Sequence, residues 1–198
     1  MTQDTCAVVG FKMVVMAASA GGLTALVRVL GALGREFPLP IAVVQHVYPH
    51  HHSFMPEILG RSISLPVREA KAFEVMRNGT VYVAPPDRHF EVTRGDVVSL
   101  TQTEPVRFVR PSADRLFQSA AETLGAVIAV ILTGAGHDGT AGAAAVRSAG
   151  GIVIAQDEAT SAFFGMPGAA IVAGEVDYVL PVDGIATTLT ELVKGHRV

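Results

Sequence analysis

KMVVMAASAGGLTAL, residues 12–26, predicts a strand, a tight turn and the start of a helix. The first seven residues are mostly apolar and long enough for a buried strand. The next four, Ser19 to Gly22, are small. Apolar residues then recur at helical spacing, at Leu23, Leu26, Val27 and Leu30. Ser19 therefore stands between a strand end and a helix start, where backbone N–H groups and the helix dipole favour developing negative charge.

Strand and helix patterns alternate along most of the chain. The main predicted strands are residues 12–18, 40–46, 126–132, 151–156 and 176–180. The predicted helices run to about residue 34, over 53–59, 112–124 and 138–149, from Pro167, and over 183–194. This alternation predicts an α/β, doubly wound (Rossmann-like) fold, in which helices flank a mostly parallel sheet. AVIAVIL, residues 126–132, is the most apolar run and predicts a central strand.

The middle of the chain has a different pattern. Between residues 67 and 102, four short alternating runs are separated by turn sequences such as Asn78-Gly79 and Arg94-Gly95-Asp96. Short strands joined by such turns are typical of antiparallel pairs. We therefore expect an antiparallel hairpin region, including residues 80–102, on one edge of the sheet.

The amino-acid composition and charge argue against several classes of protein. The 198 residues are 49% hydrophobic and 17% charged, which predicts a folded domain rather than a disordered chain. The net charge is −3 without a basic run, so a nucleic-acid partner is not expected. No apolar run approaches the roughly 20 residues that span a bilayer, and the N-terminus has no secretory-signal pattern. We therefore expect a cytoplasmic protein without membrane insertion.

Three polar residues follow predicted strands: Ser19, His46 and Asp138. Sites in open parallel sheets lie at the carboxyl ends of strands, so these side chains are expected near one another. A serine, a histidine and an aspartate are the parts of a nucleophilic triad: the hydroxyl attacks, the imidazole moves the proton and the carboxylate orients the imidazole.

Each of these residues also has a simpler interpretation. Ser19 and Asp138 are both good N-cap residues for the helices that follow them. His46 alone would be an ordinary loop histidine. The sequence around Ser19, AASAG, is a degenerate nucleophile elbow because Ala17 replaces the first glycine.

Glycine-rich turns and a run of histidines suggest two other kinds of site. Gly21-Gly22 and Gly134-x-Gly136 open helices, as phosphate-binding turns do, but neither matches a dinucleotide-binding or P-loop pattern. His50-His51-His52 suggests a metal, yet the spacing matches no zinc motif and Cys6 is the only cysteine. A solvated loop is the favoured interpretation of these histidines, and no metal is predicted.

Several motifs, in order, resemble those of the CheB family, the protein-glutamate methylesterases of bacterial chemotaxis. The family's Gly-Ala-Ser-Thr-Gly-Gly is similar to AASAGG at 17–22, its Gln-His motif to QHVYP at 45–49, and its Leu-Thr-Gly-Met-Gly-x-Asp-Gly to LTGAGHDG at 132–139. Further matches are YVAP at 82–85, RPSAD at 110–114 and FGMP at 164–167.

The resemblance implies a serine hydrolase that demethylates glutamate γ-methyl esters on the cytoplasmic helices of chemoreceptors, releases methanol and in some members deamidates glutamine. It implies Ser19 as nucleophile, His46 as general base and Asp138 as orienting carboxylate, with no cofactor. Oxyanion and pocket candidates are the backbone positions Ala20, Gly21, Ala135 and Gly136, and Arg110 is a substrate-side candidate.

The sequence departs from the family at several positions. Ala20 replaces the usual threonine, Ala135 the usual methionine and Val109 a frequent histidine, so the fit of the substrate is where a difference is expected. Residues 1–11 are expected to be a lead-in and 12–198 the methylesterase domain, without the receiver domain usual in the family. The chain would then be a stand-alone esterase, an esterase regulated by a separate protein, or a fragment. The alternatives are an esterase of the same fold with another substrate and a catalytically idle scaffold domain.

Overall fold

The computed structural model describes residues 10–47 and 53–195, which contain nine strands and six helices. The strands are β1 (Val14–Ala18), β2 (Ile41–Gln45), β3 (Val67–Glu69), β4 (Val81–Val83), β5 (His89–Thr93), β6 (Val97–Thr101), β7 (Ile128–Ile131), β8 (Ile152–Gln156) and β9 (Tyr178–Leu180). The helices are α1 (Gly22–Gly31), α2 (Met55–Ser62), α3 (Ala113–Leu124), α4 (Thr140–Ser148), α5 (Gly165–Val172) and α6 (Val182–Val193).

Seven strands form one sheet in the order β3-β4-β2-β1-β7-β8-β9, and all its neighbouring pairs are parallel. The chain builds outward from β1 through β2 on one side and from β7 to β9 on the other. The strand order therefore reverses between β1 and β7. Ligands of such sheets bind in the crevice beyond the carboxyl ends of the strands at this reversal. The predicted doubly wound fold, with 126–132 as a central strand, is confirmed.

The sheet separates two apolar cores. Val14, Met16 and Ala18 of β1 face a core that includes residues of α1, α2 and α6. Val15 and Ala17 face a second core, built with α3, α4, α5 and the β5–β6 hairpin. All five β1 residues are buried, as expected for a parallel strand covered on both faces. The backbone that leads into Ser19 is therefore held from both sides.

The pairing of the short strands in the middle of the chain differs from the expectation. β5 and β6 do form an antiparallel hairpin, but as a separate two-stranded sheet rather than on an edge of the main one. β3 and β4 are parallel members of the main sheet. Runs of three to five residues carry too little pattern to distinguish parallel from antiparallel pairing. The burial of all three β4 residues is what marks a strand inside a parallel sheet.

Some helix ends also differ from the expectation. α1 ends at Gly31 instead of near Gly34, and α2 extends to Ser62 instead of Leu59. α3 begins at Ala113, within one residue of the predicted start, and Ser112 is its N-cap. Asp183 lies in the first turn of α6, whose N-cap is Pro181. None of the helices in the described residues is both long and apolar enough to cross a membrane.

Candidate active site

Ser19 follows β1 at the reversal of strand order. Its N–H donates to Thr133 O, just after β7, at 3.0 Å, so the two central strand ends are joined there. The N-cap of α1 is Gly21, with a φ of 78°, and the proposed capping role of Ser19 is therefore wrong. Ser19 instead occupies the turn between strand and helix, and its side chain is half-buried at the carboxyl edge.

His46 lies beside Ser19 because β1 and β2 are paired in register. Ala18 pairs with Gln45, and the N–H of His46 donates to Ala18 O at 3.0 Å. Ser19 and His46 are the next residues on these two strands, and neighbouring strands lie about 4.8 Å apart. The fold therefore places a hydroxyl and an imidazole on adjacent strand ends.

His46 is paired with Asp138. Its Nε2 lies 2.8 Å from Asp138 Oδ2, and the two side chains are only 13% and 4% exposed. This is not the environment of an ordinary loop histidine. Since Nε2 faces the carboxylate, Nδ1 is the nitrogen that remains for a proton from serine. None of the hydrogen bonds within residues 10–47 and 53–195 joins Ser19 Oγ to the imidazole; such bonds often tighten only when substrate binds.

Asp138 is held by the start of α3. Ser112 Oγ donates to its Oδ1 at 2.8 Å, and the N–H groups of Ala113 and Asp114 donate to the carboxylate at 2.6 and 3.1 Å. Burial by itself raises the pKa of Asp138, but the hydrogen bonds from His46, Ala113 and Asp114 outweigh it and lower the pKa overall. Asp138 is therefore ionised and fixed in place. It is not the N-cap of α4, since that position is Gly139.

Asp114 binds the start of α4, as Asp138 binds the start of α3. Its Oδ1 accepts hydrogen bonds from the N–H groups of Gly139 and Gly142, at 3.0 and 2.8 Å, at the start of α4. Burial raises its pKa, as does the nearby charge of Asp138. Each of the two helices is thus capped by a carboxylate from the other segment. Ser112 and Asp114 belong to the RPSAD motif, but residue type and spacing do not reveal which distant group they bind.

The turn after β7 lies against Ser19. A Cβ added at Gly134 would be 2.8 Å from Ser19 Cβ and 2.3 Å from Met166 Sδ, so only glycine fits there without a shift. The N–H groups of Ala20, Gly21, Ala135 and Gly136 make no hydrogen bond within the described parts of the chain. They are unused donors on the two turns that flank Ser19, which keeps the proposed oxyanion role open to them.

A cleft of about 280 Å³ opens beside His46. Its wall is lined by Val47, Asp87, Pro105, Phe108, Val109, Arg110 and Pro111. Arg110 is anchored there: its Nε and Nη2 lie 2.9 and 2.6 Å from Asp87 Oδ1, and its Nη1 donates to Thr103 O at 2.8 Å. An arginine held this way shapes the wall of the cleft and has only part of its hydrogen-bonding capacity left for a substrate.

Residues 50–52, the three consecutive histidines, lie outside the described residues. Within the part of the chain that is described, no group of three or more histidine, cysteine, aspartate or glutamate side chains is arranged to hold a metal ion.

Gln45 is a site residue to which the sequence assigned no role. Its Nε2 donates to both Ser19 O, at 2.8 Å, and His46 O, at 3.0 Å, and the side chain is 7% exposed. One buried amide therefore ties together the backbones of both residues. Its Oε1 lies against Gly22, where a Cβ would come within 2.1 Å of it.

Replacing Gln45 with leucine should lower kcat by about 10- to 100-fold with little change in KM, because misplacing reacting groups by about 1 Å has an effect of this size. Gln118, half-buried in α3, is a glutamine control because none of the side-chain hydrogen bonds of the described residues involves it. Kinetics and thermal unfolding of both leucine variants test this expectation. An equal loss of kcat in the two variants would show that Gln45 has no special role in positioning.

The chain is similar to known proteins over most of its length. The chain is 45% identical over 184 residues to a protein-glutamate methylesterase/protein-glutamine glutaminase of Anaeromyxobacter dehalogenans, covering 92% of this chain and 54% of the relative. A protein of the same description from Pyrococcus horikoshii is 38% identical, with coverages of 93% and 51%. The chain thus spans about half the length of these relatives.

The fold is also similar to that of a solved structure. The crystal structure of the Thermotoga maritima CheB methylesterase catalytic domain is 41% identical in sequence and superposes with a TM-score of 0.89, covering 93% of this chain and all of that one. The model of the CheB methylesterase family matches residues 14–189, which include every strand and nearly every helix described above. By this match, the chain belongs to the CheB methylesterase family.

Proposed function

We propose that this chain hydrolyses the γ-methyl esters of glutamate residues in proteins, with Ser19, His46 and Asp138 as a catalytic triad. The observation that carries the proposal is the position of Ser19, on the strand next to that of His46, whose imidazole is bound to the buried carboxylate of Asp138. The family match and the names of the relatives support the same reaction.

In the first half of the reaction, Ser19 Oγ attacks the carbonyl carbon of the ester, and His46 Nδ1 takes the hydroxyl proton. The tetrahedral intermediate then breaks its bond to the methoxy oxygen. The imidazolium returns the proton to that oxygen, so that methanol leaves and the glutamyl group remains esterified to Ser19. Asp138 holds His46 in the tautomer that leaves Nδ1 unprotonated and stabilises the imidazolium.

In the second half, water attacks the acyl-enzyme while His46 takes its proton. When the second intermediate breaks its bond to Ser19 Oγ, the imidazolium of His46 returns the proton to that oxygen, and the released glutamic acid gives its proton to water to become a carboxylate. Both intermediates carry a negative oxygen. The unused N–H groups of Ala20, Gly21, Ala135 and Gly136 are the donors proposed to stabilise it, and replacement of the usual Thr and Met by Ala20 and Ala135 leaves backbone donors unaltered.

The proposed substrate is a methylated helix of a chemoreceptor cytoplasmic region, in the cytoplasm, with regulation by a separate protein in trans. A second activity, deamidation of glutamine to glutamate, is favoured by the names of both relatives and needs the same attack at an amide carbonyl. Ammonia replaces methanol as the leaving group in that case.

The test is methanol release from a methylated chemoreceptor cytoplasmic fragment. We expect release by the untreated protein and none after Ser19 has been modified by a fluorophosphonate, which reacts with activated serines. Mass spectrometry of tryptic peptides identifies the labelled residue. Faster hydrolysis of unrelated small esters than of the receptor would favour an esterase with another substrate. Absence of both release and labelling in folded protein would refute the proposed function.

A further inference from the structure

The wall of the cleft carries an exposed aromatic residue that the proposed reaction does not use. We propose that Phe108 is a recognition residue for the protein substrate, packing against an apolar side chain three or four residues from the esterified glutamate on a helix. This inference rests on the function proposed above and extends it to the way the substrate is held.

Phe108 lies at the tip of a two-residue turn. Val106 and Val109 exchange two backbone hydrogen bonds, of 3.1 and 3.0 Å, and both residues between them have positive φ, 49° for Arg107 and 69° for Phe108. Such turns favour asparagine and glycine, since other side chains are strained at positive φ. The conformation of the turn therefore does not explain why a phenylalanine stands at this position. Backbone strain of this kind clusters at functional sites.

The turn is anchored on both sides of Phe108. Arg107 Nε lies 3.5 Å from Oδ2 of the buried Asp114, and Arg110 is bound to Asp87. Asp114 in turn caps α4 beside Asp138. The Phe108 ring is fully exposed, yet its backbone is tied to the same segments that hold the catalytic carboxylate. The backbone that carries the ring therefore needs no ordering when a partner covers it.

The length of a glutamyl side chain brings the substrate backbone to this turn. Only three bonds, roughly 4 Å, separate the Cα of a glutamate from its ester carbon. His46 lines the cleft and Ser19 follows the neighbouring strand, so we place the helix that carries the ester at the mouth of this cleft. Side chains three and four residues away share the face of the glutamate, so they are the ones directed toward the wall of the cleft.

The chemistry of the wall fits an apolar neighbour. Beside Phe108, the wall contains Val47, Pro105, Val109 and Pro111, while the charges of Asp87 and Arg110 are paired with each other. Covering a phenylalanine ring that is otherwise in water is favourable and changes affinity by more than tenfold. Phe108 is thus suited to distinguish an ester on a protein helix from a free ester.

The experiment compares Phe108→Ala with Phe73→Ala. Phe73 is a matched control: it is 88% exposed, also has a positive φ, 67°, and does not line the cleft. For methanol release from the methylated receptor fragment, Phe108→Ala should lower kcat/KM at least tenfold, mainly through a higher KM. Phe108→Leu should retain most of the activity and Phe73→Ala all of it. The rate at which a fluorophosphonate labels Ser19 should stay unchanged in every variant.

Each other outcome overturns the inference in a recognisable way. Unchanged kcat/KM in Phe108→Ala, or an equal loss in Phe73→Ala, would remove the recognition role and leave the proposed function standing. Slower labelling of Ser19 in Phe108→Ala would make it a support of the active site instead. Higher activity would mean that Phe108 holds an inhibitory segment. Absence of methanol release by the unmodified protein would refute the proposed function and this inference together, before any variant is compared.

Discussion

Ser19→Ala should lower kcat for methanol release by about a thousandfold or more, while the fold stays intact. The hydroxyl is the proposed nucleophile, and removal of a nucleophile leaves only the contribution of binding and oxyanion donors. The side chain of Ser19 makes no hydrogen bond within the described residues, and alanine is smaller, so the fold loses nothing there.

The measurement is steady-state methanol release together with thermal unfolding. Ser148→Ala, at the exposed end of α4, is the matched control and should behave as the unmodified protein. Fluorophosphonate labelling should be lost in Ser19→Ala alone. Near-normal turnover by folded Ser19→Ala would exclude the acyl-enzyme mechanism.

Asp138→Asn should lower kcat by about 10⁴-fold and also reduce stability. An asparagine at this position favours the wrong tautomer of the imidazole. The same substitution in the triad of a serine protease lowers kcat by about 10⁴-fold. The carboxylate accepts hydrogen bonds from Ser112, Ala113 and Asp114, and an amide cannot accept all of them. Buried donors left unpaired cost about 1–3 kcal/mol, so we expect the free energy of unfolding to fall by about 2 kcal/mol.

The same change should alter the response to acid. The pKa of Asp138 is lower in the folded protein than its ordinary value, so its charge stabilises the fold above about pH 4. This contribution is lost as the pH falls through the lowered pKa. The stability difference between the unmodified protein and Asp138→Asn should therefore be largest near neutral pH and shrink below pH 4.

Chemical denaturation at several pH values measures this difference. Asp183→Asn is a suitable control because Asp183 is an exposed carboxylate paired with Arg28. A stability difference that is the same at pH 3 and pH 7 would contradict the assigned charge of Asp138, whatever the kinetic result.

The pattern of apolar residues along the sequence was sufficient to predict the two strands that position Ser19 and His46. Apolar runs that end at a serine and at a histidine predict strand ends, and parallel strands bring such ends to one edge. The contact between His46 and Asp138 has the geometry that this argument expects. The catalytic roles themselves stay predictions.

The connections made over long distances in sequence were not predictable in the same way. Asp114 binds the start of α4, and Asp138 binds the start of α3. These contacts depend on how the two helices meet in the fold, which the sequence around either aspartate does not reveal. The short strands β3 and β4 carried too few residues to indicate parallel pairing. The turn at Arg107 and Phe108 was hidden because its residues are not those that prefer positive φ.

The starts of α3 and α4 cap each other, and this limits how either helix can unfold locally. Because Asp138 closes the start of α3 and Asp114 closes the start of α4, neither helix start can fray without freeing the carboxylate that the other needs. The two starts behave as one cooperative unit, and His46 loses its partner whenever that unit opens. Thermal fluctuation that separates Asp138 from His46 is thereby coupled to local unfolding at the starts of α3 and α4. The turn that carries Phe108 is joined to this unit through the ion pair of Arg107 with Asp114, so opening of the unit would also release one anchor of that turn.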